Sequence, residues 1–354
     1  MEESRGRRLL IRADATEDMG TGHLMRCLAL AQAWQDRGGT AAFITACESE
    51  QLRARLVREG FLVIPIERPH PDPADWQITS GTLEEHPGAW VVLDGYHFDS
   101  PYQRQIKDSG HPLLAIDDMA HLRQYFADVI LNQNLHASDL RYVCPSHTRV
   151  FLGVQYAVLR REFLEWRTWK RKMPRVARRL LVTIGGGDPD NVTLKVMHAL
   201  NEVSAALEAV VVVGPANPHY DALESAVRDS RQAISLVLNS SDMPKLMAWA
   251  DIAVSAAGST CWELAFMGLP ALLLSVAENQ QRTARALAAE RAAIVLGTDS
   301  ALTVREIVCQ LEMLVNSPRE RMVLCRHARR LGVGAKAASI LRTLYPSPVA
   351  EVRE

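Results

Sequence analysis

Short, unbroken apolar runs recur along the 354 residues of this chain and alternate with longer amphipathic segments. A continuous apolar run, unlike an alternating one, is typical of a strand that is buried on both faces of a parallel sheet. The segments between the runs have the periodicity of helices, so the pattern predicts an α/β fold. The predicted strands are Leu9–Ala13, Ala41–Thr45, Leu62–Ile66, Trp90–Leu93, Leu113–Ile116, Val129–Leu131, Val150–Leu152, Leu180–Ile184, Ala209–Val213, Ile234–Leu238, Ile252–Ser255 and Ala271–Leu274.

These strands fall into two groups of similar size, which predicts two α/β domains, at residues 1–165 and 175–354. The basic stretch Arg161–Arg179 contains tryptophans and a proline but no strand pattern, so we expect a partly helical connector between the domains. The segment Val304–Tyr345 is predicted to form successive helices interrupted by Gly332 and Gly334. The proline-rich stretch Glu67–Asp75 is expected to be an exposed loop.

The composition of the chain argues against several classes of partner and of metal or disulfide site. The chain has 40 Lys and Arg against 41 Asp and Glu, a net charge of -1 that argues against nucleic acid as the main partner. Its six cysteines form no CxxC pair, which argues against a zinc ribbon or a disulfide scaffold. The N-terminus lacks the apolar stretch of a signal peptide, and the apolar run Leu264–Ala277 is interrupted by Gly268 and Pro270. We therefore expect a cytoplasmic protein without a membrane partner.

The segment after the first strand contains a candidate phosphate loop and a candidate base. Gly20 and Gly22 allow a tight turn, and the helix that follows presents backbone N–H groups suited to phosphate. The segment is neither a dinucleotide fingerprint nor a Walker loop. At the helix start, a neutral His23 could act as a general base on water; the alternative is a capping or core histidine. Asp14 and Arg26 join the two glycines as candidate substrate-binding residues.

Acidic residues follow two further strands of the first half. Asp94 and Tyr96 come directly after a strand, where they could bind a polyhydroxyl ligand or satisfy the loop backbone. The doublet Asp117-Asp118 follows the next strand. It could bind a metal, but no histidine or third acid has a convincing spacing, so we favour a structural role and predict no metal site.

The second half has three strand ends with polar residues. Gly185-Gly186-Gly187-Asp188 permits close approach of a ligand to the backbone, with Gly186 as the candidate. A buried strand also runs into Gly258-Ser259-Thr260, which opens a helix suited to pyrophosphate, and Glu263 one turn later could accept hydrogen bonds from a ribose. The next strand leads to Asn279 and Gln280, which could orient a sugar or a water. Together these residues favour a nucleotide-sugar site at the carboxyl ends of the strands.

The motifs IRADAT, GTGHLMRCLALA, VLDGY, IDD, LNQN, LLVTIGGGD, VSAAGSTCWELAFMGLP and ENQ occur in this order between Leu9 and Gln281. In combination they resemble the UDP-2,4-diacetamido-2,4,6-trideoxy-β-L-altropyranose hydrolase family of pseudaminic acid biosynthesis. That family is related to the GT-B glycosyltransferases, including those of the MurG type. The resemblance implies a GT-B-like fold, in which two Rossmann-like domains with parallel sheets face a central cleft.

The resemblance also implies a reaction and its residues. A metal-independent and cofactor-independent hydrolase would release UDP from a UDP-sugar by attack of water at the anomeric carbon, with inversion. His23 matches the residue that activates water, Asn279 belongs to the active site, and Tyr96 lines the sugar pocket. The second domain would hold UDP through Ser259, Thr260 and Glu263. The oligomeric state stays open.

Two alternatives use the same nucleotide site. A GT-B glycosyltransferase would pass the sugar to an acceptor instead of water, and it would need an acceptor groove in the first domain. A non-catalytic nucleotide-sugar-binding protein would keep its activity without His23. The first half shows no obvious apolar and basic surface helix for a lipid-linked acceptor, which favours the hydrolase.

Overall fold

A computed structural model describes residues 8–16, 19–214, 216–238, 240, 242–297 and 302–344. The chain folds into two compact units. The first comprises the described parts of Met1–Thr16, His23–Arg160 and Gly334–Glu354, and the second comprises those of Glu17–Gly22 and Arg161–Val333. Both units contain a fully parallel sheet with helices between its strands, so the predicted α/β fold of two Rossmann-like domains is confirmed.

The first domain has a seven-stranded sheet in the order β3-β2-β1-β4-β5-β6-β7. Its strands are apolar because both faces are covered: Leu9 and Ile11 pack on one side, while Leu10 packs on the other. The strands are β1 (Arg8–Ala13), β2 (Thr40–Thr45), β3 (Leu62–Pro65), β4 (Trp90–Asp94), β5 (Leu113–Ile116), β6 (Val129–Asn132) and β7 (Arg149–Leu152). The α-helices between them are α1 (Gly22–Gln35), α2 (Glu50–Arg58), α3 (Pro73–Glu85) and α4 (Ser100–Asp108).

The second domain has a six-stranded sheet in the order β10-β9-β8-β11-β12-β13. Its strands are β8 (Arg179–Thr183), β9 (Glu208–Val213), β10 (Ala233–Leu238), β11 (Ile252–Ala256), β12 (Ala271–Leu274) and β13 (Ile294–Leu296). Its helices are α5 (Arg161–Leu164), α6 (Val192–Glu202), α7 (Tyr220–Arg228), α8 (Met243–Trp249), α9 (Thr260–Met267), α10 (Gln281–Ala289), α11 (Val304–Asn316) and α12 (Pro318–Arg330). Every predicted strand is present, and the short edge strand β13 is the addition.

The predicted basic connector is helical only in α5, and the rest of it is anchored within the second domain. The guanidinium of Arg171 donates hydrogen bonds to the carbonyl oxygens of Met247, Ala250 and Gly268, which lie at the ends of α8 and α9. A cation at these positions satisfies carbonyl groups that have no partner inside a helix.

The helix α13 (Ala337–Leu344) belongs to the first domain. The predicted domain boundary had assigned this segment to the second domain. The chain changes domain after α12, where Gly332 and Gly334 have positive φ, as the predicted break requires. The side chains of Ile340, Leu341 and Leu344 then pack in the core formed by β1 and α1. Tyr345, the predicted end of this helix, lies outside the described residues. No described helix combines the length and apolar character needed to cross a bilayer.

Candidate active site

His23 lies in the first turn of α1, directly after the loop that follows β1. The loop contains Gly20, whose φ of +69° is a conformation that glycine adopts at low cost, and α1 begins at Gly22. The His23 side chain is only 8% exposed. The two predicted loop glycines thus form the entry to the helix that carries the histidine.

Asp94, the last residue of β4, orients the His23 ring. Nδ1 of His23 lies 2.7 Å from Oδ1 of Asp94. Burial alone would raise the pKa of Asp94, but the charge of Arg26 and the contact with His23 outweigh it and hold this pKa well below its usual range. An ionised carboxylate can only accept, so Nδ1 carries the hydrogen and the lone pair of the neutral ring is on Nε2.

Arg26, one turn further along α1, bridges two carboxylates. Its Nε donates to Oδ2 of Asp94 and its Nη2 to Oδ1, both at 2.6 Å, while Nη1 donates to Oδ2 of Asp118, also at 2.6 Å. Bidentate pairs of this kind fix geometry as well as charge. Arg26 was predicted to contact substrate, yet all three of its guanidinium nitrogens donate to carboxylates of the first domain.

Tyr96 and Asn134 complete this group of side chains. The Tyr96 hydroxyl donates to Oδ2 of Asp118 at 2.8 Å, and Nδ2 of Asn134 donates to Oδ1 of Asp118 at 2.6 Å. The Tyr96 ring meets the His23 ring edge to face, with centroids 4.8 Å apart. We call the six residues the His23 cluster: His23, Arg26, Asp94, Tyr96, Asp118 and Asn134.

Sheet order explains why residues so distant in sequence meet. Strands β1, β4, β5 and β6 are neighbours and parallel, so their carboxyl ends lie along one edge. Tyr96, Asp118 and Asn134 each follow the end of their strand by two residues. The sequence motifs pointed to His23, Arg26 and Tyr96 but gave no site role to Asp118 or Asn134. Their signals were their common position after a strand and their place in the motifs IDD and LNQN.

The doublet Asp117-Asp118 divides into two roles. Asp117 accepts hydrogen bonds from the backbone N–H groups of Met119 and Ala120, at 2.9 and 2.6 Å, and from the hydroxyls of Tyr125 and Tyr142, at 2.8 and 2.9 Å. It therefore closes its loop, as the structural interpretation of the doublet predicts, whereas Asp118 belongs to the His23 cluster. No group of His, Cys, Asp and Glu in the described ranges has the arrangement of a metal site.

Asp14 lies in a different group, which we call the Arg12 cluster: Arg12, Asp14, Asp75, Thr79 and Tyr102. Arg12 bridges the carboxylates of Asp14 and Asp75, and all three side chains have no exposed surface. The predicted exposure of Glu67–Asp75 is therefore wrong at its end, because α3 begins at Pro73 and buries Asp75 against Arg12. A buried arginine needs such partners for its charge.

In the second domain, α9 begins directly after the turn that follows β11. Ser259 is its N-cap, Thr260 its first residue, and Glu263 lies in its first turn. The Ser259 side chain makes no capping hydrogen bond to the helix. The N–H groups at this helix start are of the kind that bind phosphate oxygens.

The start of α6 is different, because the chain supplies its own anion there. Asp188 has a φ of +54°, and its carboxylate accepts hydrogen bonds from the backbone N–H groups of Val192 and Thr193, at 2.7 and 2.9 Å. The neighbouring Gly186 lies against Gly214, whose added Cβ would be only 2.4 Å from the Gly186 carbonyl oxygen. This glycine turn therefore serves close packing of two loops, and its helix start is already neutralised.

Asn279 and Gln280 lie in a short 3-10 helix, Glu278–Gln280, between β12 and α10. Nε2 of Gln280 lies 3.8 Å from the Cβ that an alanine at Gly258 would carry, so the loops after β11 and β12 are adjacent. Oε1 of Gln280 accepts a hydrogen bond from the Val276 backbone at 3.2 Å. The predicted residues therefore form separate groups in separate domains, with His23, Arg26 and Tyr96 in one and the α9 residues and Gln280 in the other.

Residues 181–330 match the family model of the Glycosyltransferase family 28 C-terminal domain. This segment covers most of the second domain, including the α9 start and the loop with Asn279 and Gln280. The chain is 24% identical over 343 residues to the spore coat polysaccharide biosynthesis protein SpsG of Bacillus subtilis, with 95% of this chain and 98% of that protein covered.

The chain is also 24% identical over 286 residues to the UDP-2,4-diacetamido-2,4,6-trideoxy-beta-L-altropyranose hydrolase of Campylobacter jejuni, covering 79% of this chain and 96% of that protein. Among solved structures, MurG of Acinetobacter baumannii matches with a TM-score of 0.61 at 17% identity, covering 95% of this chain and 98% of that chain. The structural match supports the fold, and the homologues named for polysaccharide or nucleotide-sugar chemistry cover both domains.

Proposed function

We propose that the protein hydrolyses a UDP-activated diacetamido-trideoxy sugar to UDP and the free sugar, by attack of water at the anomeric carbon. The observation that carries this proposal is the hydrogen bond between Nδ1 of His23 and the ionised Asp94. This hydrogen bond leaves Nε2 as the basic nitrogen of His23. The residue lies in the first turn of α1, at the edge of the sheet where the strands have their carboxyl ends. A base in this form can remove a proton from water.

In the proposed reaction, Nε2 of His23 takes a proton from water as the water oxygen bonds to the anomeric carbon. The bond between this carbon and the glycosidic oxygen breaks, and its electron pair leaves with UDP. Asp94 stabilises the imidazolium that forms, as an acceptor for its Nδ1–H. A single displacement inverts the anomeric configuration. No metal or cofactor enters this scheme, because UDP is already a good leaving group.

We assign UDP to the second domain. The N–H groups and hydroxyls of Ser259 and Thr260 would bind the pyrophosphate, and Glu263 would accept hydrogen bonds from the ribose. The α6 start is the poorer candidate, because Asp188 already occupies its N–H groups. As negative charge develops on the leaving UDP, the α9 start would stabilise it. Tyr96, Asn279 and Gln280 would orient the sugar and the water.

The substrate assignment is supported by the Campylobacter jejuni homologue, which is named for hydrolysis of this UDP-sugar and aligns over 96% of its length. The Bacillus subtilis homologue is named for polysaccharide biosynthesis, a process that consumes activated sugars.

Turnover of UDP-2,4-diacetamido-2,4,6-trideoxy-β-L-altropyranose in ¹⁸O-labelled water tests the proposal. We expect the label in the free sugar and not in UDP, detected by mass spectrometry, and loss of turnover in His23→Asn. Label in UDP would mean attack at phosphorus and would overturn the mechanism. Tight UDP binding without turnover would overturn the assignment of this UDP-sugar as the substrate, in favour of a related sugar or a different activity.

Glycosyl transfer is the second candidate, favoured by the match of residues 181–330 to a glycosyltransferase family model. The same His23 would then deprotonate an acceptor hydroxyl. Turnover in buffer without any acceptor separates the two reactions, because a transferase would release UDP at a useful rate only when an acceptor is added. A purely binding protein would retain its function in His23→Asn.

A further inference from the structure

Each of the three guanidinium nitrogens of Arg26 already donates a hydrogen bond to a carboxylate of the first domain. Nε and Nη2 are both bonded to Asp94 and Nη1 to Asp118, all at 2.6 Å. We propose that Arg26 is a positioning residue, rather than a residue that binds substrate: it fixes the Asp94 carboxylate beside His23, places a positive charge next to the imidazole and couples it to Tyr96. This inference rests on the proposed function only in giving His23 the role of base.

The first effect of Arg26 on His23 is geometric. Arg26 donates to both oxygens of Asp94, which restricts rotation of the carboxylate and fixes Oδ1 opposite Nδ1 of His23. Without Arg26 the carboxylate would keep only the histidine and the weak donor Sγ of Cys27, 3.4 Å from Oδ2; it could then rotate or protonate, and the ring would lose its fixed tautomer. Arg26 therefore acts on the imidazole through Asp94.

The second effect of Arg26 is electrostatic. Its Nη2 lies 3.2 Å from Nδ1 of His23. Nδ1 already donates to Asp94, so two donors face each other, and this approach becomes repulsive once the imidazole gains a proton. Burial alone would lower the pKa of Arg26, but Asp118 and Asp94 raise it far above its usual value, so the guanidinium stays charged. Asp94 favours the imidazolium, and Arg26 opposes it.

Charged and titratable groups of two elements contact His23. Arg26 lies on α1 beside it, and Asp94 and Tyr96 lie at the end of β4 and in the loop that follows. Asp118, in the loop after β5, accepts a hydrogen bond from Arg26 and so lies further from His23 than Arg26 does. Removal of the nearest cation should therefore favour protonation of His23, and removal of the more distant Asp118 carboxylate should oppose it.

A third effect of Arg26 links the base to the tyrosine. The same Oδ2 of Asp118 accepts hydrogen bonds from Nη1 of Arg26 and from the Tyr96 hydroxyl. Asn134 holds the other oxygen of this carboxylate. The Tyr96 ring, in edge-to-face contact with His23, is thus fixed by the group that fixes the base. One guanidinium sets the position of both side chains.

The test is the protonation of His23, measured by ¹⁵N NMR of the imidazole nitrogens and assigned by comparison with His23→Asn. We expect the Nδ1–H tautomer in the native protein. In Arg26→Gln the midpoint of His23 titration should rise by about one pH unit, since a charge within hydrogen-bond distance is removed. In Asp118→Asn it should fall or stay unchanged. Arg12→Gln, which alters the matched arginine of the Arg12 cluster, should leave it unchanged.

Activity provides the second measurement. The acid limb of the kcat/KM profile should move to higher pH in Arg26→Gln by the same amount as the NMR midpoint. In Arg26→Lys, which keeps the charge but loses the bidentate pair, the limb should stay near its native position while kcat falls.

Two results would overturn the inference: an unchanged His23 midpoint in folded Arg26→Gln, or a raised midpoint in Asp118→Asn. If Arg26→Gln does not fold, Asp118→Asn and Arg26→Lys decide the question. A shifted NMR midpoint in a protein that never turns over the UDP-sugar would refute the proposed function and leave the role of Arg26 intact.

Discussion

Two arginines of the first domain, Arg12 and Arg26, each bridge two carboxylates. The two clusters differ in which other groups donate hydrogen bonds to those carboxylates. Arg12 joins Asp14 and Asp75, and Arg26 joins Asp94 and Asp118. Each group also has a histidine beside one carboxylate. Nδ1 of His23 lies 2.7 Å from Asp94, and Nε2 of His97 lies 3.0 Å from Asp14. The shared pattern makes them natural controls for each other.

In the Arg12 cluster the remaining donors hold the fold together. Asp14 accepts the backbone N–H of Ala46 at 2.6 Å, and Asp75 accepts the backbone N–H of His70 at 2.7 Å and the hydroxyl of Tyr102 at 2.6 Å. Each bond joins a different segment to the carboxylate at its centre. A buried ion pair that is fully satisfied in this way fixes the arrangement of loops.

In the His23 cluster the remaining donors are side chains with chemistry of their own. His23 donates to Asp94, and Tyr96 and Asn134 donate to Asp118. The Arg26 and Asp118 side chains retain 9% and 14% exposure. An ion pair of this kind therefore does not define a function by itself. Its role follows from the groups that it positions, so matched substitutions in the two clusters should separate activity from stability.

The largest expected effect on activity is that of His23→Asn, because it removes the proposed base. We expect kcat to fall by about 10³-fold, within the usual range for general base catalysis. UDP affinity, measured by calorimetry, should be unchanged because the proposed nucleotide residues lie in the other domain. The matched variant His97→Asn should retain kcat. Full activity in His23→Asn, or equal loss in both variants, would remove His23 as the base.

Substitution of the central carboxylates should separate activity from stability. Asp94→Asn and Asp75→Asn each remove one member of a buried pair, and each should lower the free energy of unfolding by about 3 kcal/mol. Only Asp94→Asn should also lower kcat of the folded protein, by about 10²-fold or more, because the amide no longer fixes the tautomer of His23. Urea denaturation and steady-state kinetics on the same samples measure both. If Asp75→Asn impairs kcat as strongly, the Arg12 cluster also serves the reaction.

Acid should weaken both clusters. Burial raises the pKa of Asp75 and Asp14, but hydrogen bonds and the charge of Arg12 outweigh it and lower both values, as contacts with Arg26 and His23 do for Asp94. A group with a lowered folded pKa stabilises the fold above its unfolded value of about 3.9, and this contribution is lost as the pH falls through the folded pKa. We expect the free energy of unfolding to decline below about pH 5. The decline should be shallower in Asp75→Asn, and an identical slope would exclude Asp75 as a contributor.

The sequence predicted the sheets better than the clusters, for a physical reason. An unbroken apolar run such as Val91 to Leu93 reports local burial, which depends little on the partner strand. The edge strand β13 was missed because it has only three residues and is half-buried. The domain of α13 was mistaken because a helix's apolar face does not specify which core it joins.

Site residues depend on contacts that only the sheet order creates. Arg26 and Asp118 are 92 positions apart, and they meet because α1 follows β1 and β4 lies between β1 and β5. Asp14 matched the pattern of a strand-end ligand but pairs with Arg12. That arginine, in an otherwise apolar strand, was the available signal that acids were needed nearby.

The smallest expected effects come from two tyrosines that each donate to a carboxylate. Tyr102→Phe removes a hydroxyl that donates to Asp75 at 2.6 Å, and should cost about 2 kcal/mol of unfolding free energy with kcat unchanged. Tyr96→Phe removes the 2.8 Å bond to Asp118 in a more exposed place, so we expect about 1 kcal/mol of destabilisation. Its effect on kcat should be about tenfold, which corresponds to about 1.4 kcal/mol, because the ring beside His23 loses its anchor. Thermal denaturation and steady-state kinetics measure these quantities. The opposite assignment, with kcat lost in Tyr102→Phe and kept in Tyr96→Phe, would place the reaction at the Arg12 cluster.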